Sequence, residues 1–171
     1  MSQKSFVFIK PDGVQRRLVG EIIKRFEEAG LTIGALQMQE PDKATISKHY
    51  PLDNREYLLG LGHRDTNGMS EEELEQLYQK NYKIVRALQE YVGSGPIVKM
   101  ILEGRDDTVE YVRSIVGKTD PAASPKGTIR GDFGVDSFAQ SDKEGRSVRN
   151  VVHASGTPEE AEAEIKLWFE V

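Results

Sequence analysis

The 171-residue sequence has no cysteine, which excludes a disulfide framework and any thiolate metal centre. No apolar stretch approaches the length needed to cross a bilayer. The apolar run within the first ten residues is too short for a signal peptide, so the expected compartment is the cytoplasm. Basic residues are not in excess. A formal net charge of -5 leaves no basic footprint and disfavours nucleic acid as the main partner. Neither Gly-x-x-x-x-Gly-Lys-Ser/Thr nor Gly-x-Gly-x-x-Gly occurs, so phosphates are not held by either standard glycine cradle. The three histidines stand far apart in the chain and without paired ligands, which argues against a built-in zinc site. Internal repeats and low-complexity segments are also lacking.

What remains is 37% hydrophobic and 30% charged, the composition of a soluble globular domain, or of one domain with an insertion. Its organising stretch is Arg149–Phe169. Val151 and Val152 predict a short strand over 149–152, and Thr157-Pro158-Glu159-Glu160 predicts a helix start with Thr157 as N-cap and Glu160 completing a capping box. Ala161, Ile165 and Trp168 recur at helical spacing. His153 is therefore expected at a strand end, just ahead of a helix whose amides favour negative charge. Neutral imidazole there can attack a phosphoryl group. Glu164 lies two helical turns on, placed to orient the ring directly or through Ser155.

Along the chain, Ser5–Ile9 reads as a buried strand stopped by a Lys10-Pro11-Asp12-Gly13 turn, with Lys10 at its tip. Val19, Ile22, Ile23 and Phe26 form a helical stripe closed by Gly30, and 31–38 reads as a second strand. Strand, helix and strand here make a βαβ-like unit or half of a ferredoxin-like repeat. A short helix over 41–50 displays Lys43, Lys48, His49 and Tyr50. One long helix or two, opened by the capping box Ser70–Glu73 and mostly solvent-facing, fills the span before Gly93. Residues 97–102 form a third strand, and Asp106 or Asp107 caps a helix that carries Arg113 and ends at Gly117. Residues 117–131 and 133–147 read as irregular. The first of these gathers Lys118, Thr119, Lys126, Thr128 and Arg130, cations and hydroxyls suited to a polyphosphate.

Three blocks together resemble the nucleoside diphosphate kinases: Ile9-Lys-Pro-Asp-Gly-Val14, Gly127-Thr-Ile-Arg-Gly-Asp-Phe133, and Asn150-Val-Val-His-Ala-Ser155 with Glu164. They occur in the family's order and frame most of the chain. The resemblance implies an α+β fold, ferredoxin-like βαββαβ, with a four-stranded antiparallel sheet covered by helices. By the same resemblance 1–171 is a single domain, with a helical insertion over roughly 62–82. It implies ping-pong transfer of the γ-phosphate of a nucleoside triphosphate, commonly ATP, to a nucleoside diphosphate through a phosphohistidine at His153. Mg²⁺ is carried by the nucleotide phosphates, so no protein metal ligands are expected. Lys10, Arg113, Thr119 and Arg130 correspond to phosphate contacts and Asn150 to a sugar contact. Tyr50, Ser155 and Glu164 correspond to support of the histidine. The base stacks on Tyr57 when the chain is aligned forwards from Tyr50, or on Ile84 when aligned backwards from Gly95-Pro96; an aromatic face favours Tyr57.

The resemblance further implies a homo-oligomer, hexamer or tetramer, though the sequence stops soon after Leu167-Trp-Phe169 without the extension many relatives use in packing. Gly156 stands where the family usually has Asp. A rival from another class is a nucleotide-binding regulatory protein on the same fold, which would have no need to keep the full set of catalytic residue types.

Overall fold

The computed structural model describes residues 2–61 and 65–170. The apolar run near the start becomes β1 (Lys4–Ile9), and the two-residue period of a strand divides its side chains between two cores. Val7 and Ile9 enter one, with Ile22, Phe26, Met100 and Val112. Phe6 and Phe8 enter the other, with Ile46, Val85 and Trp168. The chain continues through α1 (Pro11–Gln15), α2 (Val19–Glu28), β2 (Thr32–Gln39), α3 (Lys43–His49), α4 (Arg55–Leu59) and α5 (Glu71–Val92). It then forms β3 (Ile97–Glu103), α6 (Thr108–Val116), a 3-10 turn (Pro121–Ala123), α7 (Ile129–Phe133), α8 (Phe138–Glu144), β4 (Val152–Ala154) and α9 (Pro158–Phe169).

The four strands lie in the order β2-β3-β1-β4, and every pairing is antiparallel. With α1 and α2 after β1 and α6 before β4, this is the ferredoxin-like βαββαβ arrangement, and α3 to α5 occupy the connection between β2 and β3. The expected fold class holds. Of the span read as an insertion, 62–64 lie outside the described residues, and 71–82 form the leading half of the continuous helix α5. That helix has the expected Ser70–Glu73 capping box, and it buries Leu77, Asn81, Val85 and Val92 along one face.

Several local expectations are corrected. Lys10–Gly13 is not a simple turn: Pro11 occupies the first position of α1, where its fixed φ suits a helix, and Lys10 is the N-cap. The stretch 133–147 contains α8, with the Ser137 hydroxyl accepting from Gln140 N–H at 3.1 Å and Gly145 closing it at φ 65°. Residues 117–131 contain the 3-10 turn and the start of α7. Asp107 stands at the N-cap of α6, but its carboxylate is taken by Arg105, and the Gln3 side-chain oxygen accepts from Val109 N–H instead.

The largest correction lies beside the site. The last strand is Val152–Ala154, not 149–152, because Val151 sits at φ 60° and Val152 N–H closes back on the Asn150 carbonyl at 2.7 Å. This γ-turn-like bond on a β-branched residue is a strained conformation that the strand propensity of valine does not reveal. Its consequence is register: His153 falls inside β4, opposite Phe8 of β1.

Candidate active site

Pairing with β1 lays the His153 ring against Phe8, with centroids 4.8 Å apart and planes 24° from parallel. His49, from the end of α3, meets the same imidazole edge-on at 4.7 Å. From α9, the Glu164 carboxylate reaches His153 Nε2 at 3.1 Å, and the Ser155 hydroxyl donates to its other oxygen. The direct route expected of Glu164 is therefore present, while Ser155 holds Glu164 and the Phe6 carbonyl and does not touch the imidazole. Burial works to raise the Glu164 pKa, but the His153 charge and hydrogen bond more than reverse this and hold it at about 2. An ionised carboxylate only accepts, so Nε2 carries a proton, and in the neutral ring Nδ1 then keeps its lone pair. Among the described residues Nδ1 has no hydrogen-bond partner.

A second cluster gathers the cations. Lys10 is buried at the end of β1, and its Nζ donates to Asn150 Oδ1 at 2.7 Å. Burial first, and the Arg130 charge second, lower the Lys10 pKa to about 7. Arg130 donates to three backbone carbonyls: Asn150 at 3.2 Å, Gly117 at 3.1 Å and Val152 at 2.7 Å. Burial, then the Arg113 charge, bring it down to about 10. Arg113 is exposed one turn from the end of α6. Thr119 enters through its carbonyl, which accepts from Asn150 Nδ2 at 2.9 Å, and the residue itself is exposed.

Tyr50 is buried, and its link to His153 runs through His49, against which its ring stands edge-on at 4.3 Å. Tyr57 is half-buried on α4; burial, then the charges of Glu164 and Glu160, push its hydroxyl up to about 12. Ile84 instead borders a groove of about 640 Å³ between α5 and α8, together with Asp142 and Arg146.

Three participants were not assigned from the sequence. His49 was read only as displayed on a helix; it lies against His153, so these two histidines, far apart in the chain, meet in space, while His63 lies outside the described residues. Trp168 Nε1–H donates to His49 Nδ1 at 3.1 Å, and burial holds this ring neutral, with a pKa of about 3. Tyr91 lies 5.6 Å under the Lys10 ammonium and donates its hydroxyl to Asp12. No spacing rule connects these residues, because the sheet brings them together. Adjacency to Tyr50 was the one available signal for His49.

The turn after Ser155 explains Gly156. Thr157 caps α9 as expected, accepting from Glu160 N–H at 3.1 Å. The Glu160 carboxylate does not return to Thr157; it accepts from Gly156 N–H at 2.7 Å. A carboxylate is thus already present at the Gly156 amide. A Cβ at position 156 would meet that flexible oxygen at 2.7 Å, and φ there is not positive. Gly156→Asp is expected to displace Glu160 and change both Tm and transfer rate little, within about 0.5 kcal/mol in stability. A tenfold gain in rate would show that this glycine impairs the site.

A nucleoside diphosphate kinase family model matches residues 3–60 and 59–171. The chain belongs to the nucleoside diphosphate kinase family. It is 43% identical to a nucleoside diphosphate kinase of Pyrobaculum aerophilum, over 98% of this chain and 94% of that protein. It is 40% identical to one of Helianthus annuus, over 98% of this chain and 88% of the other. Among solved structures, the Pyrobaculum aerophilum NDP kinase superposes with a TM-score of 0.85 at 40% identity, covering 99% of this chain and 96% of that one. A Borrelia burgdorferi nucleoside-diphosphate kinase, solved as a transition-state mimic with vanadate and ADP, superposes at 0.80 with 32% identity, covering 98% and 87%. The activity of a nucleoside diphosphate kinase is phosphoryl transfer between nucleotides by way of a phosphohistidine.

Proposed function

We propose that His153 is the phosphorylated residue, in a ping-pong exchange that takes the γ-phosphate from a nucleoside triphosphate and gives it to a nucleoside diphosphate. The observation that carries this reading is the Glu164–Nε2 bond, which leaves the Nδ1 lone pair unengaged. In the first half-reaction Nδ1 forms a bond to the γ-phosphorus while the bond to the bridging oxygen breaks. The diphosphate leaves with that electron pair. In the second, a terminal oxygen of the incoming diphosphate attacks, the P–N bond breaks, and the lone pair returns to Nδ1. Glu164 balances the positive charge that phosphorylation places on the ring. Lys10, Arg113 and Arg130 stabilise charge on the transferred oxygens, with Thr119 beside them and Asn150 on the sugar. Ser155 fixes Glu164, and Tyr50 fixes His49 behind the imidazole. We assign the base to Tyr57, on the aromatic-face argument, with Ile84 as the alternative. Mg²⁺ enters with the nucleotide as part of the substrate.

The test is incubation with γ-labelled ATP and Mg²⁺. An acid-labile, base-stable protein phosphate that GDP or CDP discharges is the expected result. Nucleotide binding without label would favour the regulatory rival.

Lys10 gives this reading a pH signature. In the free protein at pH 8 an ammonium with a pKa of about 7 is mostly neutral, and bound triphosphate raises that pKa. Binding should therefore take up about 0.9 proton at pH 8 and far less at pH 6. Calorimetry in buffers of different ionisation enthalpy measures this, and Lys10→Met should remove it. In the unliganded chain the sign also follows: between about 7 and 10.5 the unfolded state binds more protons, so stability rises with pH across that window.

We read 1–171 as one domain, in the cytoplasm, acting as a homo-oligomer of four or six copies. Support for association comes from β2, an edge strand that exposes Leu36 and Met38 on one face. Met38→Asp is expected to lower the sedimenting mass; an unchanged mass would remove β2 from the interface. Among the described residues no helix is long and apolar enough to cross a membrane.

A further inference from the structure

The donor atoms around Glu164 form a set that the phosphoryl-transfer reading leaves partly unused. Glu164 Oε1 is approached by His153 Nε2 at 3.1 Å and by His49 Nδ1 at 3.5 Å. One ligand atom from each of the three residues lies within 4.8 Å of the others. Two imidazoles and one carboxylate make a common protein set for Zn²⁺, and tetrahedral bonds of about 2.0–2.1 Å place such ligands roughly 3.4 Å apart. Both His–Glu contacts are already near that spacing, and the two imidazole nitrogens, within 4.8 Å, have to draw closer. Two of its groups are held in place: Phe8 lies along the His153 face, and Ser155 holds the far carboxylate oxygen. Imidazole nitrogens select borderline transition metals, whereas Mg²⁺ prefers oxygen donors in octahedral array. The substrate's metal therefore does not compete well here.

We infer that His49, His153 and Glu164 form an inhibitory Zn²⁺ site, in which the ion binds His153 Nε2 and switches off the nucleophile. The step balances without a co-reactant. The proton on Nε2, which is donated in a hydrogen bond to Glu164, moves to Nδ1, and Zn²⁺ accepts the lone pair this leaves on Nε2. Nδ1 then has no lone pair to offer phosphorus. At His49, Zn²⁺ takes the Nδ1 lone pair that accepts the Trp168 indole N–H, so that hydrogen bond breaks.

Inhibition rests on His153 being the nucleophile, but binding does not, and the chain's single tryptophan reports binding directly. The nucleotide-free full chain is titrated with Zn²⁺ while Trp168 emission is followed. A saturable change at one equivalent is expected. In His49→Asn the amide oxygen still accepts from Trp168 but binds metal poorly. Zn²⁺ binding should weaken by more than the roughly 10- to 100-fold that losing an outer partner costs. Zinc-loaded protein, freed of excess metal and given MgATP, should take little label until a chelator restores it. Three results would each overturn the inference: Trp168 emission unchanged at saturating Zn²⁺, binding unaltered in His49→Asn, or full labelling of the loaded protein. If the metal-free protein itself takes no label, the nucleophile assignment fails, while the emission titration still decides the site.

Discussion

His153→Ala is expected to take no label from γ-labelled ATP and to lose transfer activity by at least about four orders of magnitude, with nucleotide still bound. The magnitude follows from the absence of a substitute. Among the described residues His49 is the nearest other imidazole, but its Nδ1 is occupied by Trp168 and its side chain is only 2% exposed. Lys10 could attack phosphorus only by giving up its bond to Asn150 from a buried position. Neither is therefore placed to replace His153 as the attacking group. The fold should survive, since His153 is partly exposed and its main packing partner is one face of Phe8, an aromatic contact of about 0.5–1.5 kcal/mol. Circular dichroism and nucleotide titration check that the loss is chemical. Turnover at the parent rate would show that the nucleophile lies elsewhere.

How far the sequence could be read follows the range of the interactions involved. The longer helices were legible because caps and apolar stripes are local: Ser70 with Glu73, and Thr157 before α9, act within one turn, whereas α1 was read as a turn and the stretches holding α7 and α8 as irregular. The strands were legible as apolar runs, with one exception. Two valines read as strand, yet Val151 is forced to φ 60° so that its carbonyl can accept from Lys10 N–H, a contact that joins the two ends of the chain. Propensity carries no trace of such a constraint. The residue types of the site were legible through the family's motifs, but their arrangement was not. Nothing in the spacing ties Asn150 to Lys10, or His49 to His153, since each pair meets only when β1 lies between its neighbours in the sheet. Arg130 was read as a cation on a loop, and the clamp it forms on the backbone was invisible.

That clamp supplies the sharpest separation of charge from geometry. Arg130→Lys keeps the positive charge, so a purely electrostatic role predicts a nearly normal enzyme. The structure predicts otherwise. Three nitrogens of the guanidinium hold three carbonyls from two segments, Gly117 on one side and Asn150 and Val152 on the other, across the strained turn at Val151. A lysine ammonium cannot span all three while facing a phosphate. Carbonyls left without their charged donor each cost on the order of 1.5–3 kcal/mol, so a lysine that keeps one of the three bonds should lose about 3–6 kcal/mol of stability, read as a shift in the urea midpoint. Transfer should fall about a hundredfold or more, because the same carbonyls fix Asn150, and through it Lys10, next to the nucleophile. The loss should appear mainly in kcat, as expected for an interaction made best in the transition state. A variant with parent stability and rate would mean that Arg130 contributes only its charge, and that the turn at Val151 is held by the sheet alone.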